Sequence, residues 1–171
     1  MQKAFVIASA CAVALAGAPA LAADTASAQL VGPNGEEMGT VEMQQGPTGV
    51  LISVQASGLA PGEHGLHIHQ VGTCEPDFDA AGEHYAPGGT GHGFLSEGGP
   101  HAGDLANIVA GEDGTAKADQ FTTLISLAED ATNTVFDEDG SAVIIHENPD
   151  NYADADAAGG RVACGVIEAG Q

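Results

Sequence analysis

The chain has 171 residues, of which 24 are Asp or Glu and 3 are Lys or Arg, for a formal charge of −21. That length suits one domain plus a short extra segment. A charge of this sign and size excludes nucleic acid and an anionic membrane surface as partners. Trp is absent and aromatics are 4%, so any core has to be assembled from small aliphatic side chains.

The first elements in chain order are Lys3, the apolar run Phe5 to Leu15, and the small residues Ala18-Pro19-Ala20-Leu21-Ala22. Together they read as a secretory signal peptide over residues 1–22, cut after Ala22. The apolar run is too short to span a bilayer well. The expected product is an exported protein, periplasmic or secreted, with one domain over residues 23–171. Within that domain Cys74 and Cys164 are the only cysteines, and two cysteines in an exported chain most simply form one disulfide. Leu, Ile, Val and Phe make up about a fifth of residues 23–171, which at this charge borders on the composition of disordered chains. Something besides apolar burial has to support the fold.

Thr25 to Leu30 alternates, with Ala26, Ala28 and Leu30 on one side, as a half-buried strand does. Pro33-Asn34-Gly35 turns the chain, and Met38 to Gln44 can return beside it. After a second turn at Gly46-Pro47-Thr48-Gly49, Val50, Ile52, Val54 and Ala56 share a face. Further strands are predicted at 64–71, 104–110, 115–121, 141–146 and 161–168. Turn sequences, Gly111-Glu112-Asp113-Gly114 and Asp137-Glu138-Asp139-Gly140, precede two of them. About eight short strands and no helical periodicity predict an all-β fold, an eight-stranded Greek-key sandwich or barrel. The stretch 72–103 is irregular and long. Such a loop in a small domain is functional or disordered.

Seven histidines, all after residue 22, decide between those two: His64, His67, His69, His84, His92, His101 and His146. In His67-Ile68-His69 the two imidazoles share one face of a strand, with Leu66 and Ile68 on the other. His64 has the parity of Leu66 and Ile68, which predicts a hydrogen-bonded interior histidine and not a ligand. The loop brings His84, His92 and His101, with Asp104 three residues beyond the last. Three imidazoles and a carboxylate form a tetrahedral set that suits zinc. His146 ends Val143-Ile144-Ile145-His146 and turns away from the face of Val143 and Ile145. It can therefore join His67 and His69, and four nitrogens in a flattened array suit Cu(II). The plain alternative is an acidic loop with casual metal affinity.

Several motifs, taken jointly and in order, resemble those of the copper-zinc superoxide dismutases. They are Gly65-Leu66-His67-Ile68-His69 with Gly72-Thr73-Cys74, Ala81-Gly82-Glu83-His84-Tyr85, Gly99-Pro100-His101-Ala102-Gly103-Asp104-Leu105, and Gly160-Arg161-Val162-Ala163-Cys164-Gly165-Val166-Ile167. The resemblance implies copper held by His67, His69, His84 and His146, and zinc held by His84, His92, His101 and Asp104. His84 is then an imidazolate shared by both cations, which together make the loss of its second proton feasible. Cys74 and Cys164 match the family disulfide. Asp150 matches an aspartate that links a copper-ligand histidine to a zinc-ligand histidine and fixes their tautomers. Arg161 matches the residue that guides the anion to copper.

The implied activity is dismutation of superoxide to oxygen and hydrogen peroxide by a redox-cycling copper beside a structural zinc. The substrate is superoxide, and the chain is expected to act as a monomer or homodimer. Two other classes fit the same ligands: an exported copper or zinc carrier, and a structural zinc protein without turnover. The ligands are imidazoles and not the Met or Cys of many carriers, and no ligand position is vacant. One departure stands out. The segment 151–158, where many relatives carry guiding lysines, contains none here.

Overall fold

Alternation of small aliphatic residues carries over directly into strands in the computed structural model, which describes residues 24–170. The predicted signal peptide, 1–22, lies outside the described residues. Strand β1 (Thr25–Val31) buries Ala26, Ala28 and Leu30, and β3 (Gly49–Ala56) buries Val50, Ile52, Val54 and Ala56. Between them, β2 (Glu37–Gly46) pairs antiparallel with both, Ala28 opposite Val41 and Val41 opposite Val54. These side chains enter the main core together.

The remaining strands are β4 (Gly62–His64), β5 (Leu66–His69), β6 (Ile108–Ala110), β7 (Ala116–Thr122), β8 (Ala142–His146), β9 (Arg161–Val166) and β10 (Glu168–Ala169). The principal sheet runs β5-β8-β9-β1-β2-β3-β7, with β10 added beside β1, and β4 pairs separately with β6. All pairings between these strands are antiparallel, and the non-sequential neighbours β5-β8 and β9-β1 make the all-β Greek-key connectivity. Among the described residues the single helical element is a short 3-10 turn, Phe78–Ala81.

Three predicted strands differ in extent. The stretch 64–71 divides at Gly65, where the chain leaves one sheet for the other. Gly65 donates its N–H to Asn148 O at 2.9 Å and accepts from His146 N–H at 2.9 Å. The stretch 104–110 shortens to β6, because the residues before it follow the edge of β5: Gly103 O accepts from Ile68 N–H at 2.8 Å. The stretch 161–168 breaks at Ile167, whose N–H donates to Ser141 O at 3.0 Å.

The segment β5-β8-β9 is buried on both faces, unlike the outer strands. One face gives Leu66, Ile68, Val143, Ile145 and Ala163 to the main core. The other carries His67, His69 and His146, and beside them Ala142, Ile144 and Cys164, which form a second small cluster with Ala81 of the loop. The long loop covers this second face. Its attachment is the disulfide Cys74–Cys164, with Cα atoms 5.9 Å apart. That bond offsets part of the chain entropy a lean core leaves uncompensated.

Candidate metal centre

Period two on β5 sets His67 and His69 side by side, opposite Ile144 and Ala142 of β8. The free edge of β5 pairs with the loop itself, His67 opposite Asp104 and His69 opposite His84. This edge pairing requires Gly103: a Cβ there would stand 2.1 Å from Ile68 O. Residues distant in sequence thus meet along one strand edge.

A register shift aligns the last groups. Ile145 opposes Ala163, yet His146 opposes Arg161, so Val162 is left over as a bulge. A bulge re-aims side chains, and this one brings Arg161 to the metal face beside His146. The Arg161 guanidinium donates from Nη1 to Phe78 O at 2.6 Å and from Nη2 to Gly82 O at 2.7 Å.

His67, His69, His84 and His146, all buried, each offer a donor atom within 4.8 Å of the others. His84, His92, His101 and Asp104 do the same. His84 alone belongs to both sets. Every metal-site residue expected from sequence therefore converges. His64 stands apart as predicted, with Nδ1 2.7 Å from His146 O and Nε2 2.8 Å from Ala60 O.

The hydrogen bonds state which nitrogens remain for a cation. His69 Nδ1 donates to Gly82 O at 2.8 Å, and His146 Nδ1 donates to Gly159 O at 3.2 Å. A carbonyl only accepts, so each ring's Nε2 lone pair is left free. Those two nitrogens face each other at 3.4 Å. His67 Nε2 lies 2.9 Å from Asp150 Oδ2, while its buried Nδ1 has no partner. Converging lone pairs are costly in a buried site unless a cation lies among them. The donor set is all imidazole, which suits copper.

The second set centres on Asp104. Its Oδ2 accepts from Gly93 N–H at 2.7 Å and His101 N–H at 3.0 Å. Its Oδ1 lies 2.8 Å from His84 Nδ1, 3.2 Å from His92 Nδ1 and 3.4 Å from His101 Nδ1. The last contact is close in distance but not aligned, so His101 Nδ1 has no hydrogen bond. Three imidazole nitrogens and one carboxylate oxygen meet the ligand requirement of zinc.

Electrostatics keep these groups in their ligating forms. Burial pushes the His69 pKa down to about 2 and the His146 pKa to about 3, and neighbouring imidazoles add to the effect. Burial also lowers His67 and His101. Burial alone would raise Asp150, but hydrogen bonds from His67, the Tyr152 N–H and His92 outweigh it and hold the carboxyl at about 2. Burial likewise opposes ionisation of Asp104, and bonds from His84 and the Gly93 N–H overcome it. A metal ligand must be deprotonated, and the shifts of His67, His69, His101, His146 and Asp104 favour that state.

Asp150 joins the two sets. One oxygen contacts His67 Nε2, and the other lies 3.1 Å from His92 Nε2. The carbonyls of Phe78 and Gly82 and the side chain of Asn107 were not foreseen. The carbonyls have no sequence signal, and the signal for Asn107 is only its place three residues after Asp104.

Among the described residues no helix is long and apolar enough to cross a membrane. Residues 37–167 match a family model described as copper/zinc superoxide dismutase. A superoxide dismutase [Cu-Zn] of Aquifex aeolicus is 40% identical over 145 residues, covering 82% of this chain and 86% of the relative. That of Caulobacter vibrioides is 40% identical over 149 residues, covering 84% and 86%. An extracellular superoxide dismutase [Cu-Zn] of Brugia pahangi is 36% identical over 154 residues, covering 84% and 75%. Among solved structures, a SOD-like protein from Bacillus subtilis aligns with TM-score 0.77 and 37% identity over 82% of this chain and 96% of that one. The Cu/Zn superoxide dismutase of Brucella abortus aligns with TM-score 0.70 and 32% identity over 84% and 99%.

Proposed function

The chain belongs to the copper/zinc superoxide dismutase family, and we propose that His67, His69, His84 and His146 hold its copper while His84, His92, His101 and Asp104 hold its zinc. Its reaction is the dismutation of superoxide: two superoxide anions and two protons give one oxygen and one hydrogen peroxide. The observation that carries the assignment is His84, the one residue with a donor in each set.

Copper, when bound, supplies the one-electron exchange between successive superoxide anions, and zinc supplies a fixed positive charge. The chain's own residues do the rest. Arg161 offers the local positive charge that a strongly acidic protein otherwise lacks, and its two carbonyl partners hold the guanidinium beside His146. Low-dielectric walls strengthen that local field. His84 keeps Nδ1 against the Asp104 side, so Nε2 is the atom at which a proton can be carried toward the reduced substrate. Asp150 keeps His67 and His92 protonated at Nε2, which leaves each Nδ1 free for a cation. Asp104, oriented by two backbone N–H groups, presents one oxygen to three imidazoles.

Residues 1–22 are a signal peptide in this reading, removed after Ala22, and residues 23–171 are the exported domain. The Cys74–Cys164 bond supports an oxidising compartment, periplasmic or extracellular. Superoxide is the substrate that family membership gives, and the acidic charge argues against nucleic acid and an anionic membrane as partners of a chain that acts as a monomer or homodimer.

A metal count together with a superoxide-consumption assay tests the assignment. Wild type should carry one copper and one zinc per chain and turn over. His146→Ala should keep zinc and lose most copper and activity. Two bound metals without turnover would instead identify a metal carrier.

A further inference from the structure

Asn107 belongs to neither ligand set and not to the core. It is half-buried, three residues beyond Asp104 and immediately before β6. Its side-chain amide grips one residue at both ends: Oδ1 accepts from the Asp150 N–H at 3.0 Å, and Nδ2 donates to the Asp150 carbonyl at 2.9 Å. Its own N–H donates to the Tyr152 hydroxyl at 3.0 Å. Tyr152 returns to Asp150, its N–H donating to Oδ1 at 2.7 Å.

Tyr152 is itself held in place. It has φ 63°, the one positive φ of a non-glycine residue among the described residues. A tyrosine persists there only when its surroundings over-determine it. Its carbonyl accepts from the Leu95 N–H at 2.9 Å, and its ring centre lies 5.4 Å from that of Phe94. Phe94 and Leu95 follow His92 by two and three residues, so this contact ties Tyr152 to the loop that carries the zinc set.

An amide that pairs with both the N–H and the C=O of one residue fixes that residue as a strand neighbour would. Asp150 is 4% exposed, so its backbone groups have little water to turn to if released. Its carboxylate reaches His67 of one set and His92 of the other. A displacement of its backbone therefore moves the support of both rings at once.

We infer that Asn107, acting with Tyr152, is a positioning residue that couples the two metal sets. It holds Asp150 at the one place from which a single carboxylate orients His67 and His92 together. Loss of Asn107 then weakens zinc and perturbs copper, although Asn107 ligates neither. The inference rests on the metal assignment above.

The test is a double-mutant cycle on the metal-loaded protein. Asn107→Ala and Tyr152→Phe are made in wild type and in Asp150→Asn. Two quantities are read: the rate of zinc transfer to a chelator, and the copper visible and EPR spectra. Wild type is measured first, and wild type that binds neither metal would refute the metal assignment itself. With metals bound, Asn107→Ala should speed zinc loss about ten-fold or more, the effect typical of outer supports of a ligand, and should shift the copper spectra. Tyr152→Phe should do the same to a smaller degree. In Asp150→Asn neither change should add much, because the group they act through is gone. A merely structural role would lower melting temperature without moving the spectra or zinc release. That result, or losses that add in the double variants, overturns the inference. If Asn107→Ala does not fold, Tyr152→Phe is decisive by the same criteria.

Discussion

His69 and Arg161 donate to the same carbonyl oxygen, that of Gly82, at 2.8 Å and 2.7 Å. One backbone atom thus sets both the His69 ring of the four-imidazole set and the Arg161 guanidinium, to which we assign guidance of the incoming anion. The pairing makes a prediction about charge against shape. Arg161→Ala should lower kcat/KM by about ten-fold, within the range that local steering provides, while both metals remain bound. Arg161→Lys keeps the charge, but an ammonium cannot present the planar fork that reaches Phe78 O and Gly82 O together. It should recover only part of the rate. Turnover normalised to copper content checks both variants.

Acid should destabilise the metal-free protein well above the usual carboxylate range. His69 and His146 have pKa values near 2 and 3 in the fold against 6.5 unfolded, mainly through burial. The unfolded chain then binds more protons than the folded one between those limits. Stability is full above about pH 6.5 and falls as the pH drops toward 3. Asp150, at about 2 against 3.8, adds a second loss below about pH 4. Urea unfolding of the apoprotein at a series of pH values should show a plateau at neutral and alkaline pH and a steady decline below it. A stability that holds constant from pH 7 to 4 would contradict the burial of these rings.

How much of this was legible beforehand follows from what side-chain patterns encode. Period two places His67 and His69 on one face and His146 with them, because alternation reports sidedness. It does not report partners. The division at Gly65 was therefore invisible, since His64 and Leu66 keep an unbroken alternation while their backbones pair with different strands. The bulge at Val162 was equally hidden, although it decides where Arg161 points. The carbonyls of Phe78 and Gly82 act through groups every residue has. Asn107 is an ordinary amide in the sequence, and its grip on Asp150 depends on a contact 43 residues away.

Salt should not slow this enzyme. The chain carries a charge of −21, and the segment 151–158 contributes exposed Asp154 and Asp156 and no lysine. The exposed carboxylate of Asp79 stands 3.7 Å from Arg161 Nε. The far field therefore repels superoxide, and attraction is confined to the mouth. Raising ionic strength from about 0.01 M to 0.15 M shortens the screening length from about 30 Å to 8 Å. That removes distant repulsion before it weakens contact-range attraction. The rate should stay level or rise, as pulse radiolysis over a salt series can show. A steep fall would mean that a basic surface guides the substrate after all.

The disulfide should matter more to the loop than to the core. Cys74 and Cys164 enclose a sequence separation of 90 residues, a loop length for which chain entropy gives about 4–5 kcal/mol. Cys164 is fully buried in the small cluster with Ala81, Ala142 and Ile144, whereas Leu66, Ile68 and Val143 belong to the main core on the other face. Between Cys74 and His84 lies the turn whose Phe78 carbonyl anchors Arg161. Cys74→Ser with Cys164→Ser should therefore lower the unfolding free energy by about 2–5 kcal/mol. It should also lower turnover per copper, because the guanidinium loses its fixed support. Denaturant melts with a metal-normalised assay separate the two effects. A double variant with reduced stability but unchanged turnover would show that Phe78 and Gly82 hold Arg161 without help from the bridge.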